Sequence, residues 1–266
     1  MASLSDSSFA AISEYFHRVS GIRLTASKRA LVLSRLQRLA LDQGIGDLDE
    51  FVRLLVKGQL PAGLQVSVVD KLTTNETYFF REPAHFEDLR RRIAERQGSE
   101  EFRIWSAASS SGEEAYSIAM VLADKLGSAA WRIHGTDLST AVVESARQGL
   151  YSLERARNVP ESYLKRFCLR GEGPYEGQLL IDRSLRERVE FQCANLMKEL
   201  PALPMFDVIF LRNVLIYFEN GPKADIVRRV IGRLKPEGVL YTGHAESLAG
   251  LNLPLVSRAP AVYQHA

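Results

Sequence analysis

Apolar residues in the first quarter of the chain recur at the spacing of amphipathic helices. In the stretch SKRALVLSRLQRLALDQG, one side of a helix carries Val32, Leu36, Leu39 and Ala40. The flanking segments FAAISEYFHRVSG and DLDEFVRLLVKG repeat this spacing and end in glycine, which commonly follows the last residue of a helix. The pattern predicts a small all-helical domain over residues 1–74, with a turn at GQLPAG.

After Pro83 the pattern changes to short apolar runs that alternate with helical ones. The runs FRIWSA, WRIHGTD, FDVIFLR and GVLYTG are typical of strands, and EEAYSIAMVLADKLG and KADIVRRVIGRLK are typical of helices between them. This alternation predicts a parallel sheet covered by helices, which is an α/β fold. The alternation of strand-like and helix-like segments stops over about residues 153–186, where GEGPYEGQLLID indicates a turn-rich insertion with a short strand.

Composition narrows the class of protein. The chain has 266 residues, of which 46% are hydrophobic and 25% charged, and these ordinary globular proportions exclude a disordered or disulfide-stapled protein. No apolar run approaches the roughly 18 residues of a membrane span, and the first ten residues lack the basic start of a secretory signal. The two cysteines, Cys168 and Cys193, have no metal-ligand spacing, so we expect a cytoplasmic protein without a metal site.

Charge is uneven along the chain although its net value is only +2, too small to indicate nucleic acid by itself. No acidic residue occurs from Tyr15 to Leu41. Within that stretch Lys28, Arg35 and Arg38 lie within about 80° of one another on a helix, away from its apolar side. The sequence therefore predicts a local basic face, which either binds an acidic partner or is simply solvated.

Two loops at the ends of predicted strands carry candidate chemistry. SAASSSGEE offers small residues and Gly112 before a helix, but it has neither GxGxxG nor a Walker lysine, and Glu113 and Glu114 would repel a pyrophosphate. Asp137 ends the next strand, where an acid can accept both hydroxyls of a ribose. These residues favour a positively charged nucleoside such as S-adenosylmethionine over NAD or ATP. The alternatives are a helix cap for Asp137 and a helix-dipole role for the two glutamates.

Longer blocks of sequence resemble a known family. TTNETYFFRE, RIWSAASSSGEEAYSIA, GTDLS, ANL, IFLRNVLIYF and LKPEGVLYTGHAESL resemble, in that order, the CheR-type chemotaxis receptor glutamate methyltransferases. The resemblance implies a helical receptor-docking domain over residues 1–74 and a class I, Rossmann-like S-adenosylmethionine-dependent methyltransferase domain over 75–266, with a small β-subdomain inserted at about 153–186. It also implies methyl transfer to glutamate carboxylates of chemoreceptors, which gives methyl esters and S-adenosylhomocysteine.

The same resemblance implies roles for individual residues. Arg81 and Tyr217 are the implied catalytic residues, beside the reacting carboxylate and the transferred methyl group. Glu113 would hold the cofactor ammonium and Asp137 the ribose hydroxyls. The full set implied to bind the cofactor is Asn75, Thr77, Arg81, Glu113, Asp137, Asn195, Leu196, Arg212 and Asn213. A packing role for Leu196 and Tyr217, and a surface ion pair for Arg212, are the alternatives.

The resemblance also implies partners. Lys28, Arg29, Arg35 and Arg38 would seat an acidic helix of the receptor's cytoplasmic bundle, so the protein would lie at receptor arrays and meet a membrane only through receptors. The loop from Gly171 to Gly177 resembles that of members that capture a receptor C-terminal peptide by strand addition, and a purely structural insert is the alternative. Two further hypotheses are a nucleic-acid methyltransferase, disfavoured because the Asn/Asp-Pro-Pro-aromatic signature is missing, and a non-catalytic cofactor-sensing adaptor.

Overall fold

A computed structural model describes residues 4–266, so the first three residues of the predicted helical domain lie outside it. Four helices form the N-terminal part: α1 (Asp6–Ser20), α2 (Arg29–Asp42), α3 (Leu48–Val56) and α4 (Ala62–Leu72), with a short 3₁₀ turn at Ala26–Lys28. Their apolar faces meet in one core, in which Phe16, Leu36 and Phe51 are completely buried. The amphipathic spacing of the sequence therefore becomes a helical bundle with its own core.

After α5 (Pro83–Glu95) the chain forms a seven-stranded sheet. Its strands are β1 (Phe102–Ser106), β2 (Trp131–Asp137), β6 (Val189–Cys193), β7 (Phe206–Leu211), β8 (Leu234–Thr242), β9 (Leu255–Ala259) and β10 (Val262–His265). The order is β6-β2-β1-β7-β8-β10-β9, with the first five parallel and β10 antiparallel to both of its neighbours. Helices α6 (Glu113–Leu126), α7 (Thr140–Gln148) and α10 (Asn220–Ile231) follow β1, β2 and β7. The predicted α/β fold is confirmed.

The predicted insertion contains a small antiparallel sheet. Its strands are β3 (Leu150–Ser152), β4 (Cys168–Arg170) and β5 (Gln178–Ile181), in the order β3-β5-β4, with the short helices α8 (Glu161–Phe167) and α9 (Arg183–Arg186) beside them. The sheet begins at Leu150, earlier than the predicted 153. The reason is that Gly149 ends α7 with a left-handed φ of 65°, so the chain enters the strand without an intervening loop.

The helical bundle packs directly against the carboxyl edge of the large sheet. Gly21 ends α1 with a φ of 77°, and a Cβ there would lie 2.6 Å from Cγ of Met197 in the loop after β6. Asp70 of α4 accepts hydrogen bonds from the backbone and hydroxyl of Thr140, at 2.8 and 2.7 Å. Among residues 4–266, no helix combines the length and apolar character that crossing a membrane would require.

The strand order of the large sheet changes direction between β1 and β7. From β1 the sheet continues through β2 to β6 on one side and through β7 to β8 on the other. In open α/β sheets such a reversal opens a crevice at the carboxyl ends of the strands, because the connecting helices leave toward opposite faces. The fold therefore places a ligand site beside Ser106, Asp137 and Leu211, the last residues of β1, β2 and β7.

Candidate active site

A partly open cavity lies at this reversal point, with about 920 Å³ of empty space when its solvent-filled mouth is included. Its walls come from the loops after β1, β2, β6 and β7, and residues 73–78 between α4 and α5 line another side. The cavity brings together the following residues singled out from the sequence: Asn75, Thr77, Arg81, Asp137, Asn195, Leu196, Arg212, Asn213 and Tyr217.

Asp137 is the acid at the end of β2. Its side chain accepts hydrogen bonds from the backbone N–H of Ser110, at 2.9 Å, and of Ser139, at 3.0 Å. It therefore orders both the loop after β1 and the start of α7. A carboxylate has about four acceptor positions, and the backbone donors do not fill all of them, so it can still accept from a ligand. Burial raises the pKa of Asp137, because the charged form loses its hydration.

Glu113 does not line the cavity, which contradicts the ammonium-binding role expected for it. The side chain is completely buried, forms an ion pair with Arg155 and accepts a hydrogen bond of 2.8 Å from the Ser111 hydroxyl. Glu114 lines the cavity instead, since successive residues of a helix point about 100° apart. Burial raises the pKa of both carboxyl groups. Nothing in the sequence distinguished these neighbours, because the side-chain direction depends on how α6 packs.

Arg212, directly after β7, is a buried cation held by two acids. Its Nη1 lies 2.9 Å from Oε2 of Glu114, and its Nη2 lies 3.1 Å from Oε2 of Glu82. Nη2 also donates to the carbonyl of Arg81, at 2.5 Å. Burial raises the pKa of Glu82, but Arg212 and the remaining partners outweigh this and hold it below its ordinary value. Arg212 is therefore a fixed internal charge and not a surface ion-pair partner.

The backbone of the loop after β7 is held by a residue that the sequence did not single out. Glu246, only 3% exposed, accepts four backbone hydrogen bonds. Its Oε2 lies 2.7 Å from the nitrogens of both Asn213 and Gly243, and its Oε1 lies 2.6 Å from that of Leu215 and 3.2 Å from that of Ile216. Asn213 is in the left-handed region with φ 57°. The only sequence signal for Glu246 was its place inside the block GHAESL.

The segment between α4 and α5 carries Asn75, Thr77 and Arg81. The carbonyl of Asn75 accepts a 3.0 Å hydrogen bond from the Ser110 hydroxyl, which ties this segment to the loop after β1. The Arg81 side chain donates to the carbonyl of Glu76, at 3.1 Å, and its guanidinium lies 5.5 Å from the ring centre of Tyr78. Among residues 4–266 it forms no ion pair, so its charge is available to an acidic ligand.

Tyr217, Asn195 and Leu196 complete the lining. Tyr217 ends a 3₁₀ turn, and burial raises its pKa, so its hydroxyl stays protonated at neutral pH. The amide of Asn195 is internally bonded: it donates to the carbonyl of Val19, at 2.8 Å, and accepts from the backbone of Met197, at 2.9 Å. Leu196 is 8% exposed and offers an apolar surface. Asn195 therefore orders the wall of the cavity and connects it to α1.

Two family models match successive parts of this chain. The "CheR methyltransferase, all-alpha domain" matches residues 7–73, and the "CheR methyltransferase, SAM binding domain" matches residues 75–258. The chain belongs to the CheR methyltransferase family. Membership confirms the predicted family, and the SAM-binding domain confirms S-adenosylmethionine as the predicted cofactor.

Individual relatives match nearly the full length of this chain. The chemotaxis protein methyltransferase of Escherichia coli K12 is 40% identical over 98% of this chain and 91% of its own. Chemotaxis protein methyltransferase 2 of Pseudomonas aeruginosa is 39% identical over 97% and 92%. Among solved structures, YjhP from E. coli is similar with a TM-score of 0.37 and 18% identity, covering 63% of this chain and 51% of that one. A structural likeness of that size supports no argument about function.

The four residues of the predicted basic face differ in their contacts. Arg29 forms an ion pair with Asp6. Arg35 donates to the carbonyls of Lys71 and Thr73, at 2.7 and 2.9 Å, where α4 ends. Lys28 and Arg38 are exposed and form no ion pair with any described residue. Two of the four predicted docking residues are therefore engaged within the fold, and two present their charge to solvent.

Proposed function

We propose that this protein transfers the methyl group of S-adenosylmethionine to glutamate side chains of chemoreceptors. The products are glutamate methyl esters and S-adenosylhomocysteine. The relatives named chemotaxis protein methyltransferase support the substrate class. The observation that carries the proposal is the presence, in one cavity, of an acid at the end of β2 and an arginine without an ion pair, Asp137 and Arg81.

The cavity fits the cofactor in charge and polarity. Its lining includes the acids Glu76, Glu114 and Asp137 against two arginines, and one of these, Arg212, is already neutralised by Glu82 and Glu114. A cavity with this balance favours a cationic nucleoside over a polyphosphate. Asp137 would accept the ribose hydroxyls, and Leu196 and Phe218 supply apolar surface for the adenine. Glu114 replaces Glu113 as the candidate partner of the ammonium group.

The proposed reaction needs no general base from the protein. S-adenosylmethionine supplies, when bound, a methyl group on a positively charged sulfur. A glutamate carboxyl has an ordinary pKa near 4.3, so the substrate is already ionised at neutral pH. Arg81 would hold one carboxylate oxygen with its planar set of donors and leave the other free to attack. Tyr217, kept protonated by burial, would donate to the carboxylate and orient it.

The N-terminal helices would position the receptor. Lys28 and Arg38 present unpaired charge and would attract an acidic receptor helix, which affects encounter more than the chemical step. Arg29 and Arg35 would act indirectly, since their contacts hold α2 against Asp6 and the end of α4. The proposed docking surface is therefore narrower than the four residues taken together.

The small sheet has the features of a peptide-binding edge. Strand β4 lies at its edge, and Leu169 within it and Tyr175 beyond its end are 53% and 56% exposed. Together with Leu150 and Leu180 they line a shallow groove that also contains Arg170. An extended receptor C-terminal peptide would add to β4 through its backbone and place apolar side chains in this groove. A structural insert without a ligand remains the alternative.

The experiment that tests the proposed function is transfer of tritiated methyl from S-adenosylmethionine to receptor-rich membranes, followed by mild alkali. Base-labile label released as volatile methanol identifies a carboxyl methyl ester. Label that is stable to alkali and resides in nucleic acid would overturn the proposed substrate. Cofactor binding without any transfer would instead favour the adaptor hypothesis. Arg81→Ala should lose transfer while Arg258→Ala, an exposed arginine on the edge strand β9, should retain it.

A further inference from the structure

Three side chains next to the cavity have no assigned contact with cofactor or substrate in the proposed reaction, and they converge on one point. Glu82 precedes α5, His85 lies in its first turn, and His244 follows β8. One potential ligand atom from each side chain lies within 4.8 Å of the other two. Oε2 of Glu82 is 3.4 Å from Nδ1 of His85 and 3.4 Å from Nδ1 of His244.

The state of His85 requires an explanation. Its side chain is only 2% exposed, yet neither ring nitrogen has a hydrogen-bond partner among the described residues. Buried polar atoms almost always have such a partner, since leaving one without a partner costs about 1–3 kcal/mol. The imidazole of His244 lies alongside, with ring centres 4.8 Å apart. A species held between these rings and Glu82 would satisfy Nδ1 of His85.

We propose that Glu82, His85 and His244 bind a divalent transition-metal ion of the Zn²⁺ class. A tetrahedral ion with bonds of roughly 2.0–2.1 Å separates its ligand atoms by about 3.3–3.4 Å, which matches both distances from Glu82. Two imidazoles and one carboxylate are ligands that Zn²⁺ prefers and Mg²⁺ does not. Three protein ligands leave the fourth position to water.

Charge and access are compatible with this ion. Glu82 contributes a negative charge to the cluster, since its pKa is held below the ordinary value, and Glu114 shares the neutralisation of Arg212 from its other side. The His244 side chain is 47% exposed and provides the route from solvent. The ion would share Oε2 of Glu82 with Arg212, in the manner of an outer partner that orients a ligating carboxylate.

The sequence could not indicate this site. Its two histidines lie at positions 85 and 244, far beyond the spacing of any local metal motif, and they come together only because α5 packs beside the end of β8. The expectation that the chain has no metal site was based on its cysteines alone. Histidine and glutamate ligands from separate elements escape that reasoning.

Metal binding can be measured on the full, untagged chain without any methyl transfer, so its result is independent of the proposed function. After treatment with a chelator, the protein is titrated with Co²⁺ in the visible spectrum and with Zn²⁺ in a calorimeter. We expect one ion per chain and the intense visible bands of four-coordinate Co²⁺. His244→Ala should weaken Zn²⁺ binding at least about tenfold, since losing even an outer partner costs 10–100-fold.

The matched control is His265→Ala, which removes a histidine on β10 that lies outside the cluster. This variant should bind Zn²⁺ as the parent does. His244 is exposed, so its replacement should leave the circular dichroism spectrum and the unfolding transition unchanged. Binding that survives His244→Ala, binding that is lost equally in His265→Ala, or no binding by the parent chain would each overturn the proposal.

Discussion

Glu246→Gln is the substitution that most directly tests how the loop after β7 is held. The parent carboxylate accepts from Asn213 and Gly243 on one oxygen and from Leu215 and Ile216 on the other. Glutamine keeps one acceptor oxygen but turns an NH₂ group toward two N–H donors. Whichever way the amide is oriented, two of the four hydrogen bonds are lost. The two backbone N–H groups that lose their acceptor then face the NH₂ group, which is itself a donor.

The size of the effect follows from burial. The hydrogen bonds from Leu215 and Gly243 are fully buried, and those from Asn213 and Ile216 are partly so. Each orientation of the amide therefore breaks one buried bond to a charged acceptor, worth about 1.5–3 kcal/mol, and one weaker one. We expect the free energy of unfolding to fall by about 2–4 kcal/mol. Because the loop positions cavity residues, a shift of about 1 Å should also lower methyl transfer roughly 100-fold.

The measurement combines denaturant unfolding, followed by tryptophan fluorescence, with calorimetric binding of S-adenosylhomocysteine and the rate of methyl transfer. Glu237→Gln is the matched control, since Glu237 is an exposed glutamate on β8, and its effect on unfolding should stay within about 0.5 kcal/mol. If Glu246→Gln were as stable and as active as Glu237→Gln, the loop would be held by other contacts and the reasoning would be refuted.

Three further predictions concern the cavity and the basic face. Asp137→Asn should weaken S-adenosylhomocysteine binding about 10- to 100-fold by calorimetry. The ionised carboxylate accepts hydrogen bonds from the ribose hydroxyls, so S-adenosylhomocysteine should bind the parent less tightly as pH falls through the raised pKa of Asp137. If Asp137→Asn showed the same pH dependence of binding, Asp137 would not be its cause. Arg81→Lys should leave unfolding unchanged and lower kcat about 100-fold, since it keeps the charge but loses the planar donors; unchanged kcat would remove Arg81 from the reaction. Arg38→Ala should raise KM for receptor membranes at low salt without affecting unfolding. Arg35→Ala should instead lower the free energy of unfolding by about 1 kcal/mol or more, because Arg35 holds the end of α4. If the two variants behaved alike, the distinction between docking and structural residues on the basic face would be contradicted.

The fold and part of the cavity were predictable because their signals are local. Alternating apolar runs predict a parallel sheet, and the carboxyl ends of parallel strands meet at one edge, so strand order and direction alone predict that Asp137 lies beside the loop after β1. The linked sequence blocks then indicated most of the cavity lining. The first inference needs only the spacing of residues along the chain and the direction of strands, whereas the second rests on the resemblance of those blocks to a known family.

The remaining features depend on contacts between distant segments. Glu113 and Glu114 are chemically identical neighbours, and the packing of α6 turns the first toward Arg155 of the insertion and the second toward the cavity. Arg35 had the helical position of a docking residue, but its guanidinium reaches the carbonyls at the end of α4. A helical projection shows which side of α2 is polar, and it does not show which polar groups already have partners.

The contacts of Arg212 explain how Arg81 can stay free for a substrate. An arginine in the role proposed for Arg81 must be fixed in space, yet an internal ion pair would occupy the donors that the proposed substrate needs. Here the backbone is fixed instead: Arg212 donates to the carbonyl of Arg81 and pairs with the adjacent Glu82, while Glu114 holds Arg212 from α6. Removing either acid would leave the buried charge of Arg212 partly unpaired. The arrangement in which both acids contact Arg212 is therefore strongly favoured. The buried pair therefore positions the Arg81 backbone and leaves its guanidinium to the proposed carboxylate substrate.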